Sequence, residues 1–333
     1  MDDSLVAYEV EPNYAGWTLA DYILEKLKRP MPADRLDRML RSRALVHEEP
    51  ELLPETKIWP GLRFALRKRS PGDSGEPLPL RIVFEDEAII VVDKPAGLAI
   101  HPTARYHVST LTWALEQRHR NAAGEKPDPA HRLDRETSGL VACGRNTRHT
   151  RNLKGQFAGR LVSKSYLALV EGSPTDDGFA IDYPLKVGGG RVKVKVNVDA
   201  TGAASVTSCE VLERYHDSTG APLTLLRCIP LTGRQHQIRA HLHAAGFPLV
   251  GDKLYGPSEE IFLRLAESGG SPAPDGEYDE LITAGERAAL RMPRQALHAA
   301  TLSFAHPITK EPLHFEAPLP ADITGLIATL RPL

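Results

Sequence analysis

Cysteine is scarce: the 333 residues hold three, Cys143, Cys209 and Cys228, and none stands in a CxxC pair. An odd, unspaced set excludes a disulfide framework and offers no zinc or redox motif, so three reduced core thiols in a reducing compartment are expected. Long hydrophobic runs are missing too. None reaches the roughly 18 apolar residues that a membrane-spanning helix needs. The acidic opening MDDSLVAYEVEPNYAGW, broken at Pro12 and Asn13, lacks both the basic and the apolar region of a signal peptide. A cytoplasmic protein with no membrane partner is therefore expected. Glycine-rich Walker or dinucleotide spacings are absent, which removes the usual phosphate cradles. The formal net charge is only −2, so the chain as a whole is not basic.

The distribution of charge says something different. Between Gly144 and Ser165 stand Arg145, Arg148, Arg151, Lys154, Arg160 and Lys164, with no acid among them. Lys186, Arg191, Lys193 and Lys195 form a second acid-free stretch, and Arg227, Arg234 and Arg239 a third. The acids gather elsewhere, at Glu48 to Glu55 and from Glu259 to Glu280. Each run alone reads equally well as a solvated face. Three in one half of the chain suit a shared basic surface, which is what an RNA groove requires.

The length favours two domains, and hydrophobic residues at 41% suit ordinary globular packing. TLADYILEKLK and ADRLDRMLRSRALV carry apolar residues at near-helical spacing, and PETKIWPGLRFALRKR closes a small leading unit with a strand. The predicted division is a small domain over 1–69, a Pro/Gly/Ser-rich linker over 70–80, a main domain over 81–318 and a tail over 319–333. In the main domain, RIVFEDEAIIVVDK reads as two strands around an acidic turn. LVACG, SYLALVEG, the strictly alternating RVKVKVNV, SVTSCEVLERY and LTLLRCIPL read as further strands. RHTRNLKGQFAGR and GRQHQIRAHLHAAG read as helices, and residues 257–293 as a peripheral helical segment. Strand follows strand too often for regular βαβ units, so the expected fold is α+β with a mixed, largely antiparallel sheet.

Four stretches could carry chemistry. In His131-Arg132-Leu133-Asp134-Arg135, a carboxylate between two arginines precedes a Thr-Ser-Gly turn. Two readings are open: a surface Asp paired to arginine, or a carboxylate held ionised to attack carbon or stabilise positive charge. In Thr232-Gly233-Arg234-Gln235-His236-Gln237-Ile238-Arg239, a glycine-led turn delivers Arg234 near a helix start, where it could pair with a carboxylate bidentately. His236, His241 and His243 lie five and two apart, not at the three or four that put ligands on one helix face, so no metal is expected. Tyr166 sits in a predicted strand, either as core or as a ring aimed into a cleft. KPAGLAIHP and GDKLYG are, by themselves, turns.

In this order, KPAGLAIHP, HRLDRETSGL, KSYLALVEG, LTGRQHQIRAHL, GDKLYG and QALHA resemble the RluA family of pseudouridine synthases, over roughly Arg81 to Pro318. The leading unit resembles a degenerate S4 RNA-binding module of α/β type. Its usual Asn-Gly is replaced by His47-Glu48-Glu49-Pro50. The resemblance implies a catalytic domain with a central RNA-binding cleft that isomerises uridines of ribosomal or transfer RNA without cofactor; a monomer is expected. It implies Asp134 as the catalytic aspartate, Arg234 as its orienting partner, and Tyr166 stacked on the target base or acting as the base that removes a proton. It assigns Arg132 to holding the flipped uridine, and places His131, Arg135, Thr232, His236, Gln237 and Arg239 around the substrate.

Overall fold

The computed structural model describes residues 5–27, 36, 40, 52–67, 80–102, 110–119, 124–267 and 281–333. The chain divides near Asp73 into two compact units. In the first, strands β1 (Leu5–Glu9) and β2 (Arg63–Arg67) pair antiparallel, and helix α1 (Leu19–Leu27) buries Leu19, Tyr22 and Ile23. Leu36 and Leu40, one helical turn apart, join the same core with Ile58 and Phe64. Most of the second predicted helix, the 47–50 stretch and the predicted linker lie outside the described residues.

The second unit is built on one large sheet. Its strands are β3 (Arg81–Glu85), β4 (Ile89–Lys94), β5 (Asp128–Pro129), β6 (Ser138–Gly144), β7 (Ser163–Glu171), β8 (Gly178–Ile181), β11 (Thr207–His216), β12 (Pro222–Pro230), β13 (Leu297–Ala305), β14 (Pro312–Glu316) and β15 (Arg331–Pro332). A separate hairpin joins β9 (Leu185–Val187) to β10 (Val196–Val198). The main order is β15-β11-β12-β7-β13-β6-β4-β3, with β14 on β13, β5 on β6 and β8 on β11. Among the described strands, β6 and β13 are the one pair that runs parallel. The architecture is thus α+β with a mixed, mostly antiparallel sheet. β6 is buried along its whole length, and so reads as a continuous apolar run rather than an alternating one. The three cysteines are free and buried within β6, β11 and β12.

Helices α2 (Leu111–His119), α3 (Thr147–Ala158), α4 (Gln237–Ala244), α5 (Glu259–Glu267), α6 (Ala284–Leu290) and α7 (Ala321–Ile327) complete this unit. Asn146 caps α3 by accepting the His149 N–H, and Thr283 with Glu286 forms a reciprocal cap on α6. No described helix is long and apolar enough to cross a membrane.

One expectation fails here. RVKVKVNV is a strand only from Val196. Residues 191–194 make a turn, with the Lys195 N–H bonded to the Val192 carbonyl, and Val192 turns inward while its alternating neighbour Val194 faces solvent. Alternation of valine with cations marked a basic hairpin, not one long strand. The 319–333 tail packs onto the second unit. Ile323 of α7 is buried in the main core, and β15 pairs with β11.

The parallel junction of β6 and β13 positions the loop before β6. Gly139 adopts φ +113°, and a Cβ there would fall 2.3 Å from the Ala299 carbonyl oxygen, so only glycine lets the two strands approach. Ala299 in turn pairs with Tyr166 of β7, which pairs with Cys228 of β12.

Candidate active site

The loop 131–137 enters β6 and is held from all sides. Leu133 is buried, and the Thr137 N–H closes a turn onto the Asp134 carbonyl at 3.1 Å. The Arg135 carbonyl accepts the Gly97 N–H at 2.9 Å and Lys94 Nζ at 3.1 Å. Lys94 is fully buried, and its other two bonds go to the carbonyls of Pro95 and Leu98, both at 2.9 Å. All three N–H donors of an ammonium are thereby used. Burial pushes Lys94 down to about 7, against the upward pull of Asp134. Glu136 is held by Lys253 Nζ at 2.8 and 2.9 Å, and its carbonyl accepts from Arg294 at 3.2 Å. Arg294 also grips Asp322 of α7 with two nitrogens. Segments that read as mere turns, KPAG and GDKLYG, are therefore the brackets of the Asp134 loop.

Asp134 itself is one-fifth exposed. Arg239 Nη1 donates to its Oδ2 at 2.8 Å, while Arg239 Nε and Nη2 grip Asp252 at 2.7 and 2.9 Å. Asp252 is fully buried and also accepts the backbone N–H groups of Leu254 and Tyr255. The Arg239 guanidinium lies 5.1 Å from the Tyr255 ring centroid. Burial would raise the Asp134 carboxyl, but the charge of Arg239, helped by His236, outweighs it and holds the group below its ordinary range. The result is an ionised carboxylate, fixed by a bidentate-anchored arginine and open to solvent on one side.

The arginine that does this is Arg239, not Arg234. Helix α4 begins only at Gln237, after His236 in the left-handed conformation at φ 51°. Arg234 lies before that turn with its side chain exposed and, among the described residues, without a hydrogen bond or ion pair. Four other residues expected around the substrate have structural partners instead. His131 stacks on Phe157 at 4.4 Å, and its Nε2 accepts the Ala142 N–H at 3.1 Å. Burial drives it down to about 3, so it is a neutral structural acceptor. Gln237 accepts from the Thr232 hydroxyl at 2.7 Å and the Arg234 N–H at 3.0 Å, and donates to Val206 O and Thr207 Oγ1. Thr232 and Gln237 therefore staple the 232–237 loop to β11 and leave no polar atom for a substrate. Arg135 turns inward beside Glu136, at 3.7 Å. His241 spends both ring nitrogens on Thr207 Oγ1 and the Tyr183 carbonyl.

His236 and Arg132 do face the site. His236 Nε2 lies 3.8 Å from Asp134 Oδ1, and its Nδ1 lies 3.2 Å from the Tyr255 hydroxyl. Burial lowers the ring to about 4 despite Asp134. Arg132 is exposed and close enough to depress His236 further. Tyr166 is half-buried between two clusters, one with Leu133 and Ala299, the other with Cys228 and Ile238. Burial and then the Asp134 charge push its phenol well above the ordinary range. It stays protonated at neutral pH, which suits a stacking ring better than a proton-abstracting base.

Sequence reasoning missed the roles of Asp252, Lys94, Lys253, Arg294 and Gln295, whose Nε2 donates to Thr137 at 2.8 Å and reaches Asp134 Oδ2 at 3.5 Å. The basic stretches are also less free than they read. Arg191 and Lys195 pair with Glu260 and Glu259 of α5, and Arg227 with Glu210. The exposed arginines left without partners among the described residues include Arg148, Arg151 and Arg160 on and after α3, together with Arg132 and Arg234.

Comparison with known proteins shows the family. Residues 88–244 match the family described as RNA pseudouridylate synthase. The chain is 32% identical over 340 residues to "Ribosomal large subunit pseudouridine synthase D" of Nitrosomonas europaea, covering 100% of this chain and 90% of the relative. It is 33% identical over 335 residues to the protein of that name in Xanthomonas campestris pv. campestris, covering 99% and 94%. Among solved structures, "Human RNA Pseudouridylate Synthase Domain Containing 1" superposes with a TM-score of 0.57 at 26% identity, covering 78% of this chain and 91% of that one.

Proposed function

Since this chain belongs to the RNA pseudouridylate synthase family and is an RNA pseudouridine synthase, we propose that its substrate is ribosomal rather than transfer RNA, and that Asp134 is its catalytic aspartate. The target follows the relatives' names, which specify the large ribosomal subunit. The observation that carries the assignment of Asp134 is its half-open ion pair: Oδ2 fixed by Arg239, the rest of the carboxylate facing solvent.

The chemistry required is detachment of uracil from C1′, rotation, and reattachment through C5, with loss of the C5 proton. An ionised carboxylate next to the anomeric carbon can attack it or stabilise positive charge that develops there. The uridine must first leave its stack, at a cost of a few kcal/mol. Exposed Arg132 brackets the entrance, and Tyr166 offers an aromatic face next to Asp134 for the flipped base. Arg239 acts through Asp134 as its anchor. The leading unit, 1–69, serves as an S4-like RNA-binding module joined by the 70–80 linker to the catalytic domain from 81 onward. Free, buried thiols suit a reducing cytoplasm, and the enzyme works there as a monomer.

The test is tritium release from large-subunit ribosomal RNA transcribed with C5-tritiated uridine. Wild type releases tritium. Asp134→Asn releases none while binding the RNA with wild-type affinity. Turnover by Asp134→Asn, or no release from this RNA by wild type, refutes the respective assignment.

A further inference from the structure

The two oxygens of Asp134 are treated differently. Arg239 and Gln295 both approach Oδ2, at 2.8 and 3.5 Å. Oδ1 receives no hydrogen bond from the described residues. The polar atom facing it is His236 Nε2, at 3.8 Å.

The tautomer of His236 decides what Oδ1 meets. Its Nδ1 lies 3.2 Å from the Tyr255 hydroxyl, which accepts the Val196 N–H at 2.8 Å. That hydroxyl has one proton to give, either to the Val196 carbonyl at 3.1 Å or to His236 Nδ1. In the first case the neutral ring must hold its proton on Nδ1 and turn a lone pair toward an ionised carboxylate. In the second, Nε2–H points at the carboxylate. Charge–dipole attraction selects the second. The other charges near the ring are Arg132, Arg239 and Asp252, with Lys195 beyond the Tyr255 ring. His236 stands in the left-handed conformation, at φ 51°, uncommon for a residue with a side chain though better tolerated by His, Asn and Asp than by most, and from this turn its Nε2 lies 3.8 Å from Oδ1.

We propose that Asp134 acts through Oδ1, and that His236, as its Nε2–H tautomer, is the positioning residue that orients this oxygen. The proposal rests on reading Asp134 as the catalytic aspartate. Oδ2 carries the ionic anchor, so Oδ1 keeps its lone pairs for the uridine. A donor at 3.8 Å steers it without capping it, and hydrogen bonds that are long in a free enzyme tighten when substrate binds.

The test uses three variants and the tritium-release assay on large-subunit ribosomal RNA. His236→Ala lowers kcat by about 10- to 100-fold, the value of one hydrogen bond to a charged group, with KM within about twofold. His236→Gln, whose amide N–H can reach the Nε2 position, recovers kcat to within about fivefold of wild type. His236→Asn tolerates the left-handed backbone but is too short to reach Oδ1, so it folds with the wild-type melting midpoint and stays at the alanine level. The proposal is overturned if Asn is as active as Gln, if Ala is fully active, or if the loss lies in KM. The Gln–Asn comparison decides the matter even if the Ala variant does not fold. Absence of tritium release by wild type would overturn the substrate and catalytic reading instead.

Discussion

Replacing Asp252 by Asn tests the physical basis of the site away from the reacting atoms. Asp252 is fully buried, and its partner Arg239 has a side chain only 9% exposed. The pair is therefore screened little by solvent. Asn can still accept the N–H groups of Leu254 and Tyr255, so those two bonds survive the change. What is lost is the charge that holds the guanidinium by two nitrogens, and an amide N–H then faces a cation. Breaking one side of a buried ion pair costs about 3–5 kcal/mol, which lowers the melting midpoint by about 6–20 °C. Arg239 then keeps Asp134 as its one ionic partner among the described residues and shifts toward it, and a misplacement near 1 Å costs turnover on the order of 100-fold. Calorimetry and tritium release measure the two effects. Glu210→Gln is the control, because its pair with Arg227 is largely exposed and is worth under about 1 kcal/mol. A midpoint for Asp252→Asn no lower than that of Glu210→Gln, or normal turnover, refutes the reasoning.

Arg239→Lys should lower kcat by at least about 100-fold, since an ammonium cannot bridge two carboxylates bidentately, whereas Arg234→Ala should retain kcat and change only the salt dependence of RNA binding; the opposite ranking contradicts the geometry. Gly139→Ala should destabilise the main unit by about 3 kcal/mol or more in urea unfolding, because its Cβ meets the Ala299 carbonyl and its φ is strained; an unchanged urea midpoint means that β6 and β13 do not pack this closely. Stability should fall as pH drops from about 6.5 toward 4. Burial lowers His131 to about 3 and His236 to about 4, and depresses His119, His241 and His298, so the unfolded chain binds protons that the native state refuses. Asp134 and Asp252, held below 3.8, stay ionised in the native state while the unfolded carboxylates begin to protonate below about pH 5, so they deepen the fall at the acid end of that window. A urea midpoint that rises on acidification contradicts this sign.

Most strands could be read from residue pattern. The Asp86 turn between β3 and β4 is an example: its carboxylate accepts the N–H groups of Ala88 and Ile89, as an acidic turn between apolar runs suggests. RVKVKVNV misled because alternation reports facing, not hydrogen bonding, and half of its residues turn instead of pairing. Asp134 could be singled out because its neighbours are charged. Its partner could not, since Arg234 and Arg239 share one motif and differ only in which side of the His236 turn they fall. One signal was available: Arg239 stands between Ile238 and Ala240 on a helix with no acid of its own, and a buried cation must find an anion elsewhere. Lys94 and Asp252 gave no such hint. A fully buried charge in a glycine- or proline-bounded segment looks like an exposed turn until its partners are seen.

The brackets of the Asp134 loop lie far along the chain. Arg239 is 105 residues downstream, Arg294 contacts the loop across 158, and Gln295 across 161. Closing loops of that span is slow, and their contacts stabilise nothing until both ends exist. During synthesis, His131–Thr137 therefore emerges long before the residues that shape it. A nascent chain that has reached β12 has Asp134 and Tyr166 but neither the cation that anchors the first nor the clamp that fixes its loop. The loop that carries Asp134 cannot take its final shape until Arg294 and α7 have left the exit tunnel and docked.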